Sequence, residues 1–329
     1  MPGKDRTDFV IEATGLTKRF GDLTVVDQLD LTVSAGQVHA LLGPNGSGKT
    51  TTVRMLTSLT PPDAGKARVC GHDLLSHGAE VRRNVGLVGQ FTALERRLTG
   101  LENLTMFGGL HGLPYAVARA RALELLERFG LAEAGDRTVG TYSGGMARRL
   151  DLLAAFVVRP LVLFLDEPTT GLDPISRSLI YKQVKEFIAE GTSVVLTTQY
   201  LDEADHLADR LTILDRGATI ASGTPSEIKQ RVGAGIDVVI ADGGSADDAV
   251  AVAGRHGMQL TSDSTTGAGE SRRLSFAADD AVDLFDVFTQ LHDAGIDVED
   301  IGRRIVRLDE AFLMLVNAGE KSLRGGRTQ

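Results

Sequence analysis

The sequence lacks features that several classes of protein require. It contains one cysteine, Cys70, among 329 residues, which excludes an internal disulfide and a thiolate metal cluster. We expect Cys70 to be a buried apolar residue. Hydrophobic runs are short: Arg159 follows residues 152–158 and Asp166 follows residues 161–165, whereas a membrane-spanning helix needs roughly 18 to 20 apolar residues. The opening, MPGKDRTDFV, has no apolar segment of signal-peptide type. We therefore expect a cytoplasmic protein whose role at a membrane would need a separate partner.

Basic residues are also fewer than acidic ones. Lys and Arg number 35 against 44 Asp and Glu, a formal net charge of −9. This argues against a general nucleic-acid-binding protein, because phosphate contacts need clustered basic side chains. The acidic excess is uneven, since residues 231–329 hold about 10 basic and about 17 acidic side chains. The shift in composition predicts one domain at residues 1–230, a second at residues 231–320 and a disordered tail at residues 321–329.

A glycine-rich stretch, LLGPNGSGKTT, ends a predicted buried strand. It has the G-x-x-x-x-G-K-S/T spacing of a phosphate-binding loop. Gly46 and Gly48 can adopt backbone angles closed to other residues, so successive N–H groups can turn toward an anion. The following helix directs its positive end to the same place. The predicted nucleotide-binding residues are Gly43, Pro44, Asn45, Gly46, Ser47, Gly48, Lys49, Thr50 and Thr51.

Two further apolar runs end in polar residues. Residues 161–165 are continuously apolar, as in a strand buried on both faces of a parallel sheet, and Asp166 and Glu167 follow them. Adjacent carboxylates there are costly unless they hold a cation or water. Because open α/β sheets bind ligands at the carboxyl ends of their strands, the pair is predicted to belong to a ligand site. Residues 192–198 predict another buried strand, which ends at Gln199.

Two weaker signals each have two interpretations. The run YSGGM at residues 142–146 lies late in a largely helical region, residues 93–157. Ser143 as the N-cap of a helix explains it adequately, and a close approach to the glycine backbone is the alternative. Phe20, just before a turn, is either a core aromatic at a strand end or a ring stacked on a purine.

The two ends of the chain have simpler patterns. Residues 9–34 alternate in short β-like runs, which predict an antiparallel sheet leading into the phosphate loop. Beyond residue 230 the pattern predicts β-α-β-α, with helices at about residues 280–292 and 309–319. Residues 262–271 are polar and predicted to be loose.

Taken in order, the motifs resemble the ATP-binding subunit of an ABC (ATP-binding cassette) transporter. That family has a phosphate loop, then a glutamine loop (Gln90), a signature (residues 142–146), a Walker B strand (residues 161–167), a D-loop (residues 171–173) and a switch residue (Gln199). The resemblance covers about residues 9–230. It implies an α/β P-loop fold with a mostly parallel core sheet, an antiparallel β subdomain and an inserted helical subdomain at about residues 93–157. The tail would add a small α+β domain.

The resemblance also implies roles in ATP hydrolysis. Glu167 would act on the attacking water as general base. The catalytic residues would be Lys49, Glu167 and Gln199. The Mg²⁺ ligands would be Thr50, Gln90 and Asp166, with Asp166 acting through water.

Other implied roles concern a second copy of the subunit. Ser143, Gly144 and Gly145 would meet the γ-phosphate of ATP held by that copy, so two subunits would form a head-to-tail homodimer with ATP at the interface. Asp173 would communicate across the interface. Phe20 would stack on adenine, and Gln90 would link the γ-phosphate to the segment that touches a permease.

The chain departs from the common family pattern at two places. Its signature is YSGGM rather than LSGGQ, which keeps the serine and the glycines. Its switch residue is Gln199 rather than histidine. A glutamine amide can donate to the γ-phosphate but cannot take up a proton, so we expect slower turnover rather than loss of activity.

The segments TYSGGM, LDEPTTGLDP and LTTQYLDEAD resemble the daunorubicin and doxorubicin resistance branch of multidrug exporters. The C-terminal LDE-x-F-L motif of that branch is matched by residues 308–313. This implies a subunit on the inner face of the cell membrane that powers a separate transmembrane permease exporting drugs or other hydrophobic, lipid-like compounds. The C-terminal domain would serve dimerisation or regulation.

Other functions stay open at this point. A soluble ABC protein of the ribosome-protection or DNA-repair type would lack a permease, and a nucleotide-gated regulator would hydrolyse little ATP. An importer subunit is also compatible with the motifs.

Overall fold

The chain forms two compact units. A computed structural model describes residues 9–231, 235–241, 245–266, 271–278, 281–304 and 308–325. The first unit ends at Ser222 and the second begins at Gly223. This division lies eight residues before the boundary predicted near residue 230, because the helix at Pro225–Arg231 belongs to the second unit while the acidic composition starts only after it.

The first unit contains ten strands and seven helices within the described residues, if the last strand is counted with it. The strands are β1 (Phe9–Phe20), β2 (Leu23–Ser34), β3 (Val38–Leu42), β4 (Ala64–Val69), β5 (His72–Asp73), β6 (Val85–Val88), β7 (Val162–Asp166), β8 (Ser193–Thr198), β9 (Arg210–Asp215) and β10 (Ala218–Gly223). The helices are α1 (Lys49–Leu56), α2 (Gly78–Asn84), α3 (Gly100–Leu110), α4 (Tyr115–Arg128), α5 (Gly144–Phe156), α6 (Pro174–Ala189) and α7 (Leu201–Leu207).

The core sheet is mostly parallel, which confirms the prediction. Its strand order is β10-β9-β3-β8-β7-β6, and β3 pairs in parallel with β8 and β9 while β7 pairs in parallel with β6 and β8. Every residue of β3, β7 and β8 is buried, so these strands are nearly continuous apolar runs. Parallel register brings their carboxyl ends to one edge, where Leu42 pairs with Thr198 and Asp166 pairs with Thr197.

A second sheet is antiparallel, also as predicted, in the order β2-β1-β4-β5. The short β-like runs of the N-terminal segment are parts of two 12-residue strands, β1 and β2. Cys70 follows β4, is partly buried and packs against the core of this region. Burial raises the pKa of its thiol to about 11, so the thiol stays protonated at neutral pH.

The helical region contains α3, α4 and α5. A capping box begins α3, in which the Thr99 side chain accepts from the Glu102 N–H and the Glu102 carboxylate accepts from the Thr99 N–H. Ser143 is the N-cap of α5, as predicted, and its Oγ accepts from the Met146 N–H at 3.2 Å. Helices α5 and α6 are joined by the stacked rings of Phe156 and Phe187, whose centroids are 3.9 Å apart.

The second unit has more strands than the β-α-β-α prediction. Its elements are α8 (Pro225–Arg231), β11 (Gly235–Ile240), α9 (Ala246–Arg255), β12 (Gln259–Thr266), β13 (Ser271–Ala277), α10 (Leu284–Asp293), β14 (Val298–Arg304) and α11 (Leu308–Gly325). The four strands form an antiparallel sheet in the order β12-β13-β11-β14. A core that includes Ile236, Val252 and Val287 lies between this sheet and helices α9 and α10.

Two predictions for this unit need correction. Residues 262–266, predicted to be loose, belong to β12, where the paired strand β13 supplies backbone partners and Arg272 forms an ion pair with Asp263. Residues 267–270 lie outside the described part. Helix α11 extends to Gly325, five residues into the segment predicted to be a disordered tail, and residues 326–329 are not described. In the described part of the chain, no helix combines the length and the apolar character that a bilayer crossing requires.

Candidate functional site

The glycine-rich loop connects β3 to α1. Gly48 is the N-cap of α1 and has φ 100°, and Gly46 has φ 80°, so both use the left-handed region that favours glycine. At Gly48 an added Cβ would lie 2.6 Å from the backbone oxygen of Val25. The loop is therefore closely packed against β2, and its shape depends on glycine at this position.

Lys49 begins α1 and folds back over the loop. Its Nζ donates to the carbonyl oxygens of Gly43 at 2.8 Å and Pro44 at 2.9 Å. Burial lowers the pKa of Lys49, while the nearby charges of Glu167 and Asp166 act in the opposite direction. The result is a nearly buried cation beside the loop.

The carboxyl edge of β7 and β8 faces the same loop. Asp166 Oδ1 accepts hydrogen bonds from Thr197 Oγ1 at 2.6 Å and from Thr50 Oγ1 at 3.1 Å. Glu167 Oε1 lies 3.8 Å from Lys49 Nζ. The two carboxylates predicted from the apolar run thus lie next to the two loop residues predicted to bind phosphate and metal.

The backbone at Glu167 is strained, since its φ is 49°. A non-glycine residue in this region costs of the order of 1 kcal/mol or more and persists only where neighbouring contacts hold it. The Glu167 N–H donates to the backbone oxygen of Thr197 at 3.1 Å and to Thr197 Oγ1 at 3.0 Å. Thr197 therefore binds both Asp166, the last residue of β7, and Glu167, which follows it.

A cavity of about 430 Å³ lies beside Lys49, Thr50 and Glu167. Its lining residues come from the loop, the neighbouring strands and the segments after β6, β7 and β8: Val25, Asn45, Gly46, Gly48, Lys49, Thr50, Thr51, Gln90, Glu167, Thr170 and Gln199. Six of these eleven residues belong to the glycine-rich loop or the start of α1. Gln90 and Gln199, predicted from separate motifs, are thus brought to the loop by the sheet.

The cavity fits a phosphate ligand and a magnesium ion. Gly46 has no atom within 4 Å of an added Cβ, which leaves its backbone open to a ligand. Ser47 Oγ is buried and has no hydrogen-bond partner among the described residues. Thr50, Gln90 and Asp166 offer hydroxyl, amide and carboxylate oxygens, the hard donors that Mg²⁺ prefers.

The other predicted site residues lie elsewhere in the first unit. Phe20 ends β1 and is 54% exposed, so it is not a core aromatic, and Lys18 Nζ lies 5.5 Å from its ring centroid. Ser143 and Gly144 are exposed at the start of α5. None of these three lines the cavity.

The D-loop residue Asp173 lies beside the signature. It is the N-cap of α6, and its carboxylate accepts from the Ser176 N–H at 2.9 Å and the Ser176 Oγ at 2.6 Å. These bonds hold the pKa of Asp173 below its usual range. A Cβ added at Gly145 would lie 2.3 Å from Ser176 Oγ, so the signature glycine packs directly on the first turn of α6.

Two residues at this edge are not among the predicted site residues. Thr197, the residue before the end of β8, binds Asp166 and Glu167. Arg148, on α5, bonds to the chain at the end of β7. A basic residue on the buried side of a helix was a signal for Arg148, whereas nothing in the sequence separates Thr197 from an ordinary strand residue.

Known proteins resemble this chain in sequence and fold. The family model described as ABC transporter matches residues 26–170. The daunorubicin resistance ATP-binding protein DrrA3 of Streptomyces coeruleorubidus is 48% identical over 310 residues, which are 94% of this chain and 96% of the relative. The chain belongs to the ABC transporter family of ATP-binding proteins. Members of this family hydrolyse ATP to power transport, and this chain is an ABC ATPase.

A further relative and a solved structure each match about two thirds of the chain. A Nod factor export ATP-binding protein of Ralstonia nicotianae is 45% identical over 219 residues, 67% of this chain and 68% of that protein. A solved ATP-binding subunit of an ABC transporter superposes with a TM-score of 0.62 at 28% identity, over 68% of this chain and 93% of that chain. The part of this ABC ATPase that the solved structure covers is thus similar in length to the first unit.

Proposed function

We propose that this ABC ATPase drives a separate transmembrane permease from the cytoplasmic face of the membrane and that the complex exports drugs or other hydrophobic, lipid-like compounds. The observation that carries the export assignment is the match to a daunorubicin resistance protein, which is 48% identical over 94% of the chain. That match has 48% identity and includes residues of both units, whereas the match to the Nod factor export protein has 45% identity. The higher identity favours drugs as the cargo.

The phosphate end of ATP is assigned to the cavity beside Lys49. The hydrogen bonds of Lys49 to two loop carbonyls keep its Nζ over the loop, ready to exchange one of them for a phosphate oxygen. Thr50, Gln90 and Asp166 would hold Mg²⁺, which when bound neutralises part of the phosphate charge. Thr197 holds the Asp166 carboxylate in place through a hydrogen bond of 2.6 Å.

Glu167 is assigned as the general base that accepts the proton of the attacking water. Its side chain is 10% exposed, and Thr170 Oγ1 donates to its Oε2 at 3.2 Å. Oε1 points toward Lys49, at the margin of the cavity. Gln199 lines the same cavity and can donate an amide hydrogen bond to the γ-phosphate, but it cannot take up a proton.

The cavity of one chain would be half of the complete site. Ser143 and Gly144 are exposed, and the start of α5 lies outside the lining of the cavity. Their predicted contact with the γ-phosphate would therefore come from a second copy, in a head-to-tail homodimer with ATP at the interface. Asp173 packs beside this segment and would lie at the same interface.

Drug export can be tested in cells. In a strain that lacks the gene, we would restore either the wild-type chain or Glu167→Gln and measure cell-associated daunorubicin by its fluorescence. The wild type should lower accumulation and Glu167→Gln should not, although both are produced in equal amount. Equal accumulation with the wild type and with Glu167→Gln would contradict drug export by this subunit.

Gln199 favours a second candidate, a nucleotide-gated regulator with little hydrolysis. Steady-state phosphate release from the purified wild type, Lys49→Ala and Glu167→Gln separates the two. For the ATPase, the wild type should exceed both variants by at least about tenfold, because each variant removes a group that acts on the transferred phosphate or the water. Equal background rates in all three would support the regulator.

A further inference from the structure

One buried arginine connects three parts of the site. Arg148 lies on α5, three residues after Gly145, and its side chain is 7% exposed. Burying a guanidinium is unfavourable unless its N–H groups are paired, so the partners of Arg148 indicate what it does.

The guanidinium uses its full donor capacity of five N–H groups. Nε donates to the backbone oxygen of Pro168 at 2.9 Å, and Nη2 donates to the backbone oxygens of Asp166 at 3.2 Å and Glu167 at 3.4 Å. Nη1 donates to the backbone oxygen of Gly89 at 2.6 Å and to Asp151 Oδ2 at 3.3 Å. Four of the five acceptors are thus backbone oxygens outside α5.

Three of those oxygens belong to consecutive residues, 166–168, around the strained backbone of Glu167. The N–H of Glu167 is bound by Thr197 on the opposite side. Arg148 and Thr197 therefore hold the backbone of Glu167 from its carbonyl and amide sides, and together they set the direction in which its carboxylate leaves the chain.

The remaining acceptors connect Arg148 to the glutamine loop. Gly89 immediately precedes Gln90, and Asp151, one turn after Arg148 on α5, accepts from the Ala93 N–H at 3.1 Å. The Arg148–Asp151 pair thus holds the segment 89–93 at both ends. These bonds connect α5 both to the residue before Gln90 and to the backbone of Glu167.

We propose that Arg148 is a positioning residue that couples the signature helix α5 to the carboxylate of Glu167 and to the Gln90 segment. Engagement of Ser143 and Gly145 with nucleotide would thereby align the base for hydrolysis. This rests on the proposed roles of Glu167 and of the signature. A lysine at this position keeps the charge but has three donors and no planar fork, so it cannot bind all of the oxygens at once.

The test compares Arg148→Lys with Arg121→Lys. Arg121 lies on α4 with a side chain 10% exposed, forms an ion pair with Glu124 and has no described contact with residues 166–168. We expect kcat of Arg148→Lys to fall at least about tenfold while its Kd for a fluorescent ATP analogue stays within about twofold of wild type, and Arg121→Lys to keep both. Asp151→Asn, which weakens the orientation of Arg148, should lower kcat by a smaller factor in the same direction. A wild-type kcat for Arg148→Lys would overturn the proposal, and so would equal losses of kcat and of nucleotide binding.

A double variant distinguishes positioning of Glu167 from general structural damage. If Arg148 acts through Glu167, Arg148→Lys should lower the single-turnover rate in the wild-type background but not the residual rate of Glu167→Gln. An equal factor in both backgrounds would refute the coupling. If Glu167→Gln itself hydrolyses ATP at the wild-type rate, the assignment of Glu167 as the base fails. The effect of Arg148→Lys in the wild-type background is measured separately, so the failures of the two proposals can be told apart.

Discussion

The stability of the first unit should depend on a buried histidine that is not charged in the folded state. His39 is the second residue of β3, is 3% exposed, and its Nε2 lies 2.9 Å from Thr212 Oγ1. Burial, and secondarily the charge of Arg210, lower the pKa of His39 from 6.5 to about 4. In the unfolded chain this histidine takes up its proton near pH 6.5, whereas the folded protein resists protonation until about pH 4.

Between these values the unfolded state binds more protons, so the free energy of unfolding falls as the pH falls. The contribution of His39 to the free energy of unfolding is fully present above pH 6.5 and is lost as the pH falls toward 4. A pKa difference from 6.5 to about 4 corresponds to about 3 kcal/mol, of which about 2 kcal/mol should be lost by pH 5.

His39→Gln keeps an amide that can hydrogen-bond to Thr212 but removes the titration. We would measure urea unfolding of the full chain by circular dichroism at pH 7.5 and pH 5.0, since the sequence has no tryptophan. The wild type should lose about 2 kcal/mol more than His39→Gln between these two values. The substitution can lower stability at both pH values without affecting this difference. An equal pH-dependent loss in the two proteins would refute the reasoning.

Two further predictions concern the site. Gly48→Ala places a Cβ 2.6 Å from the Val25 oxygen at a residue with φ 100°, whereas the Cβ of Gly46→Ala meets no atom within 4 Å. The affinity for a fluorescent ATP analogue should therefore fall more in Gly48→Ala than in Gly46→Ala. Similar affinities of the two variants would show that the close contact has no effect. Thr197→Val removes the hydroxyl that binds Asp166, and Thr197→Ser keeps it. The valine variant should lose about 1 to 3 kcal/mol of stability and most of its kcat. Equal activity of the valine and serine variants would contradict this role of Thr197.

The candidate site was largely predictable because its residues belong to short contiguous motifs. A phosphate loop needs glycine at positions with positive φ, and Gly46 and Gly48 have that conformation. A buried parallel strand needs an unbroken apolar run, and the run before Asp166 and Glu167 is β7. In each case the physical requirement acts over a few adjacent residues, so it is visible in the sequence.

The second unit was harder to predict. Strand β12 is mostly exposed and polar, from Gln259 to Thr266, so it has no apolar pattern to mark it as a strand. It is held by backbone pairing with β13 and by the ion pair between Arg272 and Asp263. Partners in a neighbouring strand decide such a segment, and local composition does not reveal them.

The sequence by itself determined the kind of site: a phosphate loop, a carboxylate pair after a buried strand, and the order of motifs that identifies an ABC ATPase. Only the tertiary structure decided which side chains meet. The parallel register of β3, β7 and β8 brings Lys49, Glu167 and Gln199 to one cavity, and it leaves the signature at the start of α5 outside that cavity. The hydrogen bonds of Arg148 and Thr197 likewise join residues far apart in the chain. The reason is physical, because a motif specifies backbone conformation within a few residues, whereas distances between motifs are set by strand pairing and packing of the whole unit.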